Sequence, residues 1–141
     1  MGSTRNAASM AALAAIGFLL ATPMAMAQYM SVTLSGAHEV PPVSTAATGT
    51  ASVTVYPDHA VSARVVATGM NATASHIHDG AMGANGPVIV PFIKIDDNTF
   101  AAPAGSKLTD AQYADYLAGK LYVNVHSAAH PGGEIRAQLA K

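Results

Sequence analysis

Hydrophobic and polar residues alternate along most of the chain after residue 28. Met30, Val32 and Leu34, for example, occupy every second position of one short stretch. A period of two is typical of a β-strand that buries one face. The pattern predicts seven strands, at residues 29–35, 49–56, 60–68, 73–78, 88–95, 120–126 and 134–139, with an eighth around Thr99.

The segment of residues 108–119 departs from this alternation and predicts a helix. Thr109 can cap its start, and Gly119 suits the position after its last turn. Tyr113 and Leu117 are four residues apart and are expected to face the sheet. With turn residues about every ten positions elsewhere, the chain is predicted to be all-β. The expected fold is an antiparallel Greek-key β-sandwich of about seven or eight strands with one short connecting helix.

The N-terminal residues carry a different pattern. Residues 10–27 contain no charged side chain, Arg5 precedes them, and Ala25 and Ala27 provide the small-x-small motif of a cleavage site. This arrangement is typical of a secretory signal peptide, and it is too short for a comfortable membrane span with flanks. We therefore expect residues 1–27 to be a signal peptide. Residues 28–141 then form one periplasmic or secreted domain of 114 residues.

Composition narrows the functions that this domain can have. The sequence has no Cys, which excludes disulfides, thiolate metal sites and Cys nucleophiles. Without Arg5, the seven Lys and Arg residues fall to six against eight Asp and Glu, a net charge near −2. Nucleic-acid partners are not expected, because no basic field attracts phosphates. No further apolar run approaches 18 residues, so no membrane span is expected after processing.

Four of the six histidines lie in two short stretches and predict a metal site. His76 and His78 are two residues apart on a strand, so their side chains project to one face about 6.5–7 Å apart. His126 ends another apolar strand and His130 follows it. Neutral imidazole is a common ligand of copper and zinc. We expect His76, His78 and His126 to bind a metal ion, copper rather than zinc, with His130, Met82 or water completing the site. The alternative is that they are polar surface residues.

Several motifs, taken in order, resemble the CHRD (chordin-like) domain family. They are residues 34–42 (LSGAHEVPP), 47–51 (ATGTA), 76–80 (HIHDG), 86–88 (GPV), 117–127 (LAGKLYVNVHS) and 130–136 (HPGGEIR). The resemblance implies a secreted β-sandwich module. Ala137 stands where the family usually has Gly. His130 stands where Asn is frequent, which weakens its case as an obligatory ligand.

Three functions follow from these observations. The first is a secreted metal-binding protein that binds, stores or delivers the ion, with no catalytic residues. The second is a metal-free adhesion or protein-binding module, because the family is best known as repeats in chordin, an extracellular binder of growth factors. The third is a copper enzyme similar to superoxide dismutase, for which the sequence lacks a clear second cluster of His and Asp.

Overall fold

The computed structural model describes Gly2 and residues 21–141. The predicted signal peptide, residues 1–27, lies mostly outside the described residues, and residues 21–27 have no regular secondary structure. A short 3₁₀ turn, Gly36–His38, follows the first strand. The regular elements are β1 (Gln28–Ser35), β2 (Thr48–Val55), β3 (Val61–Thr68), β4 (Ala72–Asp79), β5 (Val88–Pro91), β6 (Ile93–Lys94), β7 (Thr99–Ala101), α1 (Asp110–Leu117), β8 (Leu121–Ser127) and β9 (Ile135–Gln138).

The strands form one antiparallel sheet in the order β5-β4-β8-β9-β1-β2-β3-β7-β6. The sheet curls until it is nearly barrel-shaped. Its buried apolar side chains, from both halves of the sheet, make one core cluster. The predicted antiparallel all-β fold with one short helix is therefore confirmed. Residues 21–141 form nine strands because the strand around Thr99 forms as β7 and because residues 88–95 give two strands instead of one.

The break between β5 and β6 closes the fold on one side. β5 pairs with β4, whereas β6 pairs with β7 at the other end of the strand order. Between them, the N–H of Phe92 donates to the carbonyl of Ser75, and the Lys94 ammonium donates to the carbonyl of Ala72. One continuous segment thus joins both edges of the sheet, which leaves few unpaired edge groups there.

The two halves of the sheet are joined more loosely on the opposite side. There β1 and β9 share only the pair Ser35 and Arg136, although β1 pairs with β2 over its whole length. A cavity of about 750 Å³ opens beside this seam, and Val32, Glu39 and Met82 are among the residues that line it.

The helix α1 begins and ends where the sequence predicts. Thr109 accepts from the N–H of Gln112, whose side chain in turn accepts from the N–H of Thr109. The face toward the sheet is only partly as expected, because Tyr113 is half-buried but Leu117 is 56% exposed. Tyr116 is buried instead, so the buried pair is spaced by three residues. Within residues 21–141 no helix is long and apolar enough to span a bilayer.

Candidate metal centre

Strands β4 and β8 lie side by side and present two chemically different faces. His76 pairs with Asn124 and His78 pairs with Tyr122 in an antiparallel register. Alternation along the strand sends Ile77 and its neighbour Val123 into the apolar core. The other face carries what we call the outer polar cluster: His76, His78, Tyr122, Asn124 and His126, with Arg136 of β9 and Glu39.

Three of the predicted ligands meet in this cluster, and we call them the histidine triad: His76, His78 and His126. One ring nitrogen of each lies within 4.8 Å of the others. The closest pair is His76 Nδ1 and His126 Nε2, at 3.1 Å. The register of the two strands explains the meeting, because His126 lies opposite Ala74, two positions before His76.

Backbone carbonyls fix the tautomers of two imidazoles. His126 Nδ1 lies 2.9 Å from the carbonyl oxygen of Pro131, and His78 Nδ1 lies 2.9 Å from that of Gly86. A carbonyl oxygen can only accept, so both Nδ1 atoms carry the hydrogen and both Nε2 atoms keep a lone pair. His126 Nε2 accepts from His76 Nδ1, whereas His78 Nε2 is buried without a partner.

Burial favours the neutral, metal-binding form of two triad members, His76 and His78. Burial, with smaller contributions from His126 and His78, lowers the pKa of His76 to about 4. Burial also lowers the pKa of His78, and this outweighs the Gly86 carbonyl and Asn124, which raise it. At pH 7 both imidazoles are therefore uncharged and can donate a lone pair.

His78 is more enclosed than the strand pattern indicates. Its side chain is 7% exposed, and its ring stacks on Tyr122 at 4.7 Å with 4° between the planes. The Tyr122 hydroxyl accepts from the N–H of Gly86, so the loop that holds His78 Nδ1 also holds its stacking partner. A Cβ at Gly86 would overlap the carbonyl of Asp79, so this close approach requires glycine.

Arg136 secures the loops above the cluster. Its guanidinium carbon lies 3.4 Å from the centre of the Tyr122 ring, a cation–π geometry. Its Nη1 donates to Asn85 Oδ1 at 3.1 Å and its Nη2 to the carbonyl of Ala84 at 2.6 Å. Asn85 Nδ2 in turn donates to the carbonyl of Val40 at 2.8 Å. The buried Arg136 guanidinium therefore connects β9 to the loop of residues 80–87 and, through Asn85, to the loop of residues 39–47. We call these two segments the covering loops.

Glu39 and Asn124 complete the cluster. Glu39 is 4% exposed, and burial raises its pKa to about 7, although Arg136 and Asn124 oppose the increase. Glu39 Oε1 and Asn124 Oδ1 are buried atoms without hydrogen-bond partners. A Cβ at Gly133 would lie within about 2.6 Å of both Glu39 Oε1 and Asn124 Nδ2, so glycine there allows the two side chains to converge.

The structure does not bring His130 or Met82 into the triad. His130 lies in the turn after β8, where its N–H donates to the Ser127 side chain, and it is not among the three close histidines. Met82 is 76% exposed at the tip of a loop. Metal binding by any of the four predicted histidines stays a prediction.

Four members of the outer polar cluster were not predicted from the sequence to be site residues: Glu39, Tyr122, Asn124 and Arg136. For two of them a signal was present. Tyr122 and Asn124 lie four and two residues before His126 on the same strand, so alternation places all three on one face. Glu39 lies in a loop without periodicity, and no pattern in the sequence predicts its burial.

A family comparison covers nearly the whole described domain. Residues 30–139 match the family model of the CHRD domain. The chain belongs to the CHRD domain family. Among curated proteins nothing matches this CHRD domain, and no solved structure matches it either. The resemblance predicted from the motifs is thus confirmed, and every member of the outer polar cluster lies within the matched CHRD residues.

Proposed function

We propose that this CHRD domain binds one transition-metal ion through His76, His78 and His126. The observation that carries the proposal is the lone pair of His78 Nε2, which is buried and has no hydrogen-bond partner. A buried polar atom without a partner costs free energy, which a bound ion would recover. Two Nε2 atoms held by carbonyls on their Nδ1–H side match the way in which metal-binding imidazoles are oriented.

The separation of the donor atoms fits an ion after small movements. Metal–nitrogen bonds of about 2.0–2.1 Å place tetrahedral ligands about 3.4 Å apart. His76 Nδ1 and His126 Nε2 are already 3.1 Å apart, and the widest spacing in the triad is below 4.8 Å. Rotation of the half-buried His76 and His126 rings would close the remainder, and the ion would replace the hydrogen bond between them.

Copper is the ion that we favour, with zinc as the alternative. Three neutral nitrogen ligands suit both metals, and a given nitrogen site binds Cu²⁺ more tightly than Zn²⁺. The triad leaves a fourth position for water or an exchangeable ligand, which suits binding, storage or delivery. We further propose that this occurs in the periplasm or outside the cell, a proposal supported by the charge-free residues 10–27 and the small residues at 25 and 27.

Calorimetric titration of the domain with Cu²⁺ and Zn²⁺ tests the proposal. We expect one ion per chain, and for Cu²⁺ an electron paramagnetic resonance spectrum with nitrogen hyperfine splitting. His126→Ala should abolish or strongly weaken binding. His38→Ala is the matched control, because His38 is an exposed imidazole outside the triad.

Two results would contradict the proposal: absence of binding to the wild-type domain, or equal binding by the two variants. In the first case the metal-free adhesion module becomes the better hypothesis, and in the second the ion binds outside the triad. Metal analysis of the domain purified from its natural compartment then identifies the ion present in the cell.

A further inference from the structure

Three of the buried polar atoms without partners lie in the outer polar cluster: His78 Nε2, Asn124 Oδ1 and Glu39 Oε1. The proposed ion accounts for the first of them. The other two belong to a carboxyl group and an amide that the histidine site does not use. Because native proteins leave few buried polar atoms unpaired, this second pair needs its own explanation.

Asn124 connects the carboxyl group of Glu39 to the histidine triad. It lies between His76 on β4 and Arg136 on β9 in the strand register. A Cβ at Gly133 would lie 2.5 Å from Glu39 Oε1 and 2.6 Å from Asn124 Nδ2, so these two side chains lie close together. Asn124 also raises the pKa of His78 and lowers that of Glu39. One amide thus separates the carboxyl group from a proposed ligand.

We propose that Glu39 is the counter-ion of the metal centre, which loses its proton and becomes a carboxylate when the ion binds to the triad. This inference rests on the proposed function. The ion brings two positive charges to a site whose three ligands are neutral, and a nearby carboxylate lowers the energy of that charge in a buried environment. Without the ion, burial favours the protonated carboxyl group.

The charges around Glu39 are consistent with this role. Arg136 on β9 is the charged group that acts on it, and Asn124 on β8 is the neutral one. His38, in the turn beside it, contacts Ser35 and the carbonyl of Arg136. The Arg136 guanidinium already contacts the Tyr122 ring and donates to the carbonyl of Ala84. Burial therefore outweighs it, and the carboxyl group keeps a pKa of about 7.

The Glu39 carboxyl group can form a hydrogen bond both with and without its proton, and a released proton has a path to solvent. A protonated Glu39 can donate to Asn124 Oδ1, whereas a carboxylate accepts from Asn124 Nδ2, so rotation of one amide serves both states. On deprotonation the O–H bond breaks and the proton passes to buffer. Glu39 lines the cavity of about 750 Å³ beside the seam of β1 and β9, which gives it access to solvent.

Counting the protons released on Zn²⁺ binding tests this inference. Titration calorimetry at pH 7, in buffers that differ in ionisation enthalpy and bind Zn²⁺ weakly, gives the number of protons per ion. A group with a pKa of about 7 is half protonated at that pH, so the wild type should release about half a proton more than Glu39→Gln. At pH 9 this difference should disappear, because Glu39 is already ionised.

Glu134→Gln is the matched control. Glu134 is also buried, but hydrogen bonds from Ser127 and Thr45 outweigh the effect of burial and lower its pKa. It is ionised at pH 7 with or without the ion, so its variant should release as many protons as the wild type. Equal release by the wild type and Glu39→Gln at pH 7 would show that Glu39 is not the counter-ion.

If Glu39→Gln does not fold, a measurement on the wild-type domain alone still tests the inference. The carbon NMR signal of the Glu39 carboxyl group reports its titration directly, and its pKa should fall from about 7 when Zn²⁺ is added. An unchanged pKa of this carboxyl group contradicts the inference. If the wild type binds no Zn²⁺ and no Cu²⁺, the proposed function itself fails, and that outcome is separate from binding with an unchanged proton count.

Discussion

The two faces of strands β4 and β8 both hold buried side chains but are chemically opposite. Toward the core, Ile77 and Val123 are 1% and 0% exposed; on the other face, His78 and Asn124 are 7% and 2% exposed. The inner side chains are apolar, whereas the outer face holds three buried polar atoms without partners. Loops held by Arg136 bury the outer face. Burial in this molecule therefore marks two different features, a core and a candidate site.

The largest effect is expected on the inner face. Ile77→Ala should reduce the free energy of unfolding of the metal-free domain by about 2–5 kcal/mol, because it empties a fully packed position. The triad is on the opposite face, so the stabilisation by Zn²⁺ or Cu²⁺ should remain. Chemical denaturation with and without the ion measures both quantities. Loss of the metal effect would show that the two faces are not independent.

His78→Ala should have the reverse effect on metal-linked stability. An ion at 100 to 1,000 times its Kd stabilises the native state by about 3–4 kcal/mol, and this increment should disappear. The metal-free domain should also lose stability, because His78 is buried and stacked on Tyr122. Strand alternation places His78 away from the core, and this pattern alone indicates only a small cost. Thermal unfolding of the variant with and without the ion separates the two effects; an unchanged metal shift would contradict the role of His78 as a ligand.

Glu39→Gln should stabilise the metal-free domain at high pH. The folded pKa of about 7 lies above the unfolded value of 4.5, so the wild type loses stability as pH rises through this interval. The loss amounts to about 3 kcal/mol when complete. Glutamine has no charge to bury, so the variant should be more stable than the wild type at pH 9 and similar at pH 4.5. Urea unfolding of both proteins at the two pH values measures this difference in the free energy of unfolding. The same difference at pH 4.5 and pH 9 would contradict the prediction.

The pH dependence of metal affinity sharpens the description of the triad. From model imidazoles, the sequence predicts that all ligands compete with protons below about pH 6.5. Burial lowers the pKa of His76 to about 4, so its proton should compete only near that pH. Each competing proton costs about 1.4 kcal/mol of binding free energy per pH unit. The slope of log Kd should therefore steepen toward pH 4, whereas a slope above about two at pH 6 would contradict the buried triad.

The smallest effect is expected for His130→Ala. His130 is half-buried in a turn outside the triad, and its recorded hydrogen bonds come from its backbone. Stability should change by less than about 0.5 kcal/mol, and the affinity for Zn²⁺ should be unchanged. A tenfold loss of affinity would restore His130 as the fourth ligand that the sequence predicts.

Alternation along the chain was sufficient to predict most of the fold and the triad. The spacing of His76 and His78 and the apolar strand before His126 needed only the geometry of neighbouring strands. The split at Phe92 could not be predicted in this way, because the residues around it, from Val88 to Ile93, are all apolar. The separation of β5 from β6 depends on which strands they meet across the closed sheet.

The packing of the covering loops over the cluster could not be predicted for a related reason. Glu39 is buried because Arg136 and Asn85 draw two distant loops together. A contact of this kind has no periodic signal in the sequence. The helix shows the same limit on a smaller scale. The sequence predicts that Leu117 is buried, whereas packing against the sheet buries the adjacent Tyr116.

The turn that follows β8 has a consequence for how freely this sequence can vary. Gly132 and Gly133 are adjacent and identical, yet a side chain at Gly132 would meet nothing within 4 Å. At Gly133, which also has a φ of +122°, a side chain would displace the neighbouring Glu39 carboxyl and Asn124 amide groups. In a library randomised at both positions and selected for folded protein, position 132 should accept many residues and position 133 should return glycine.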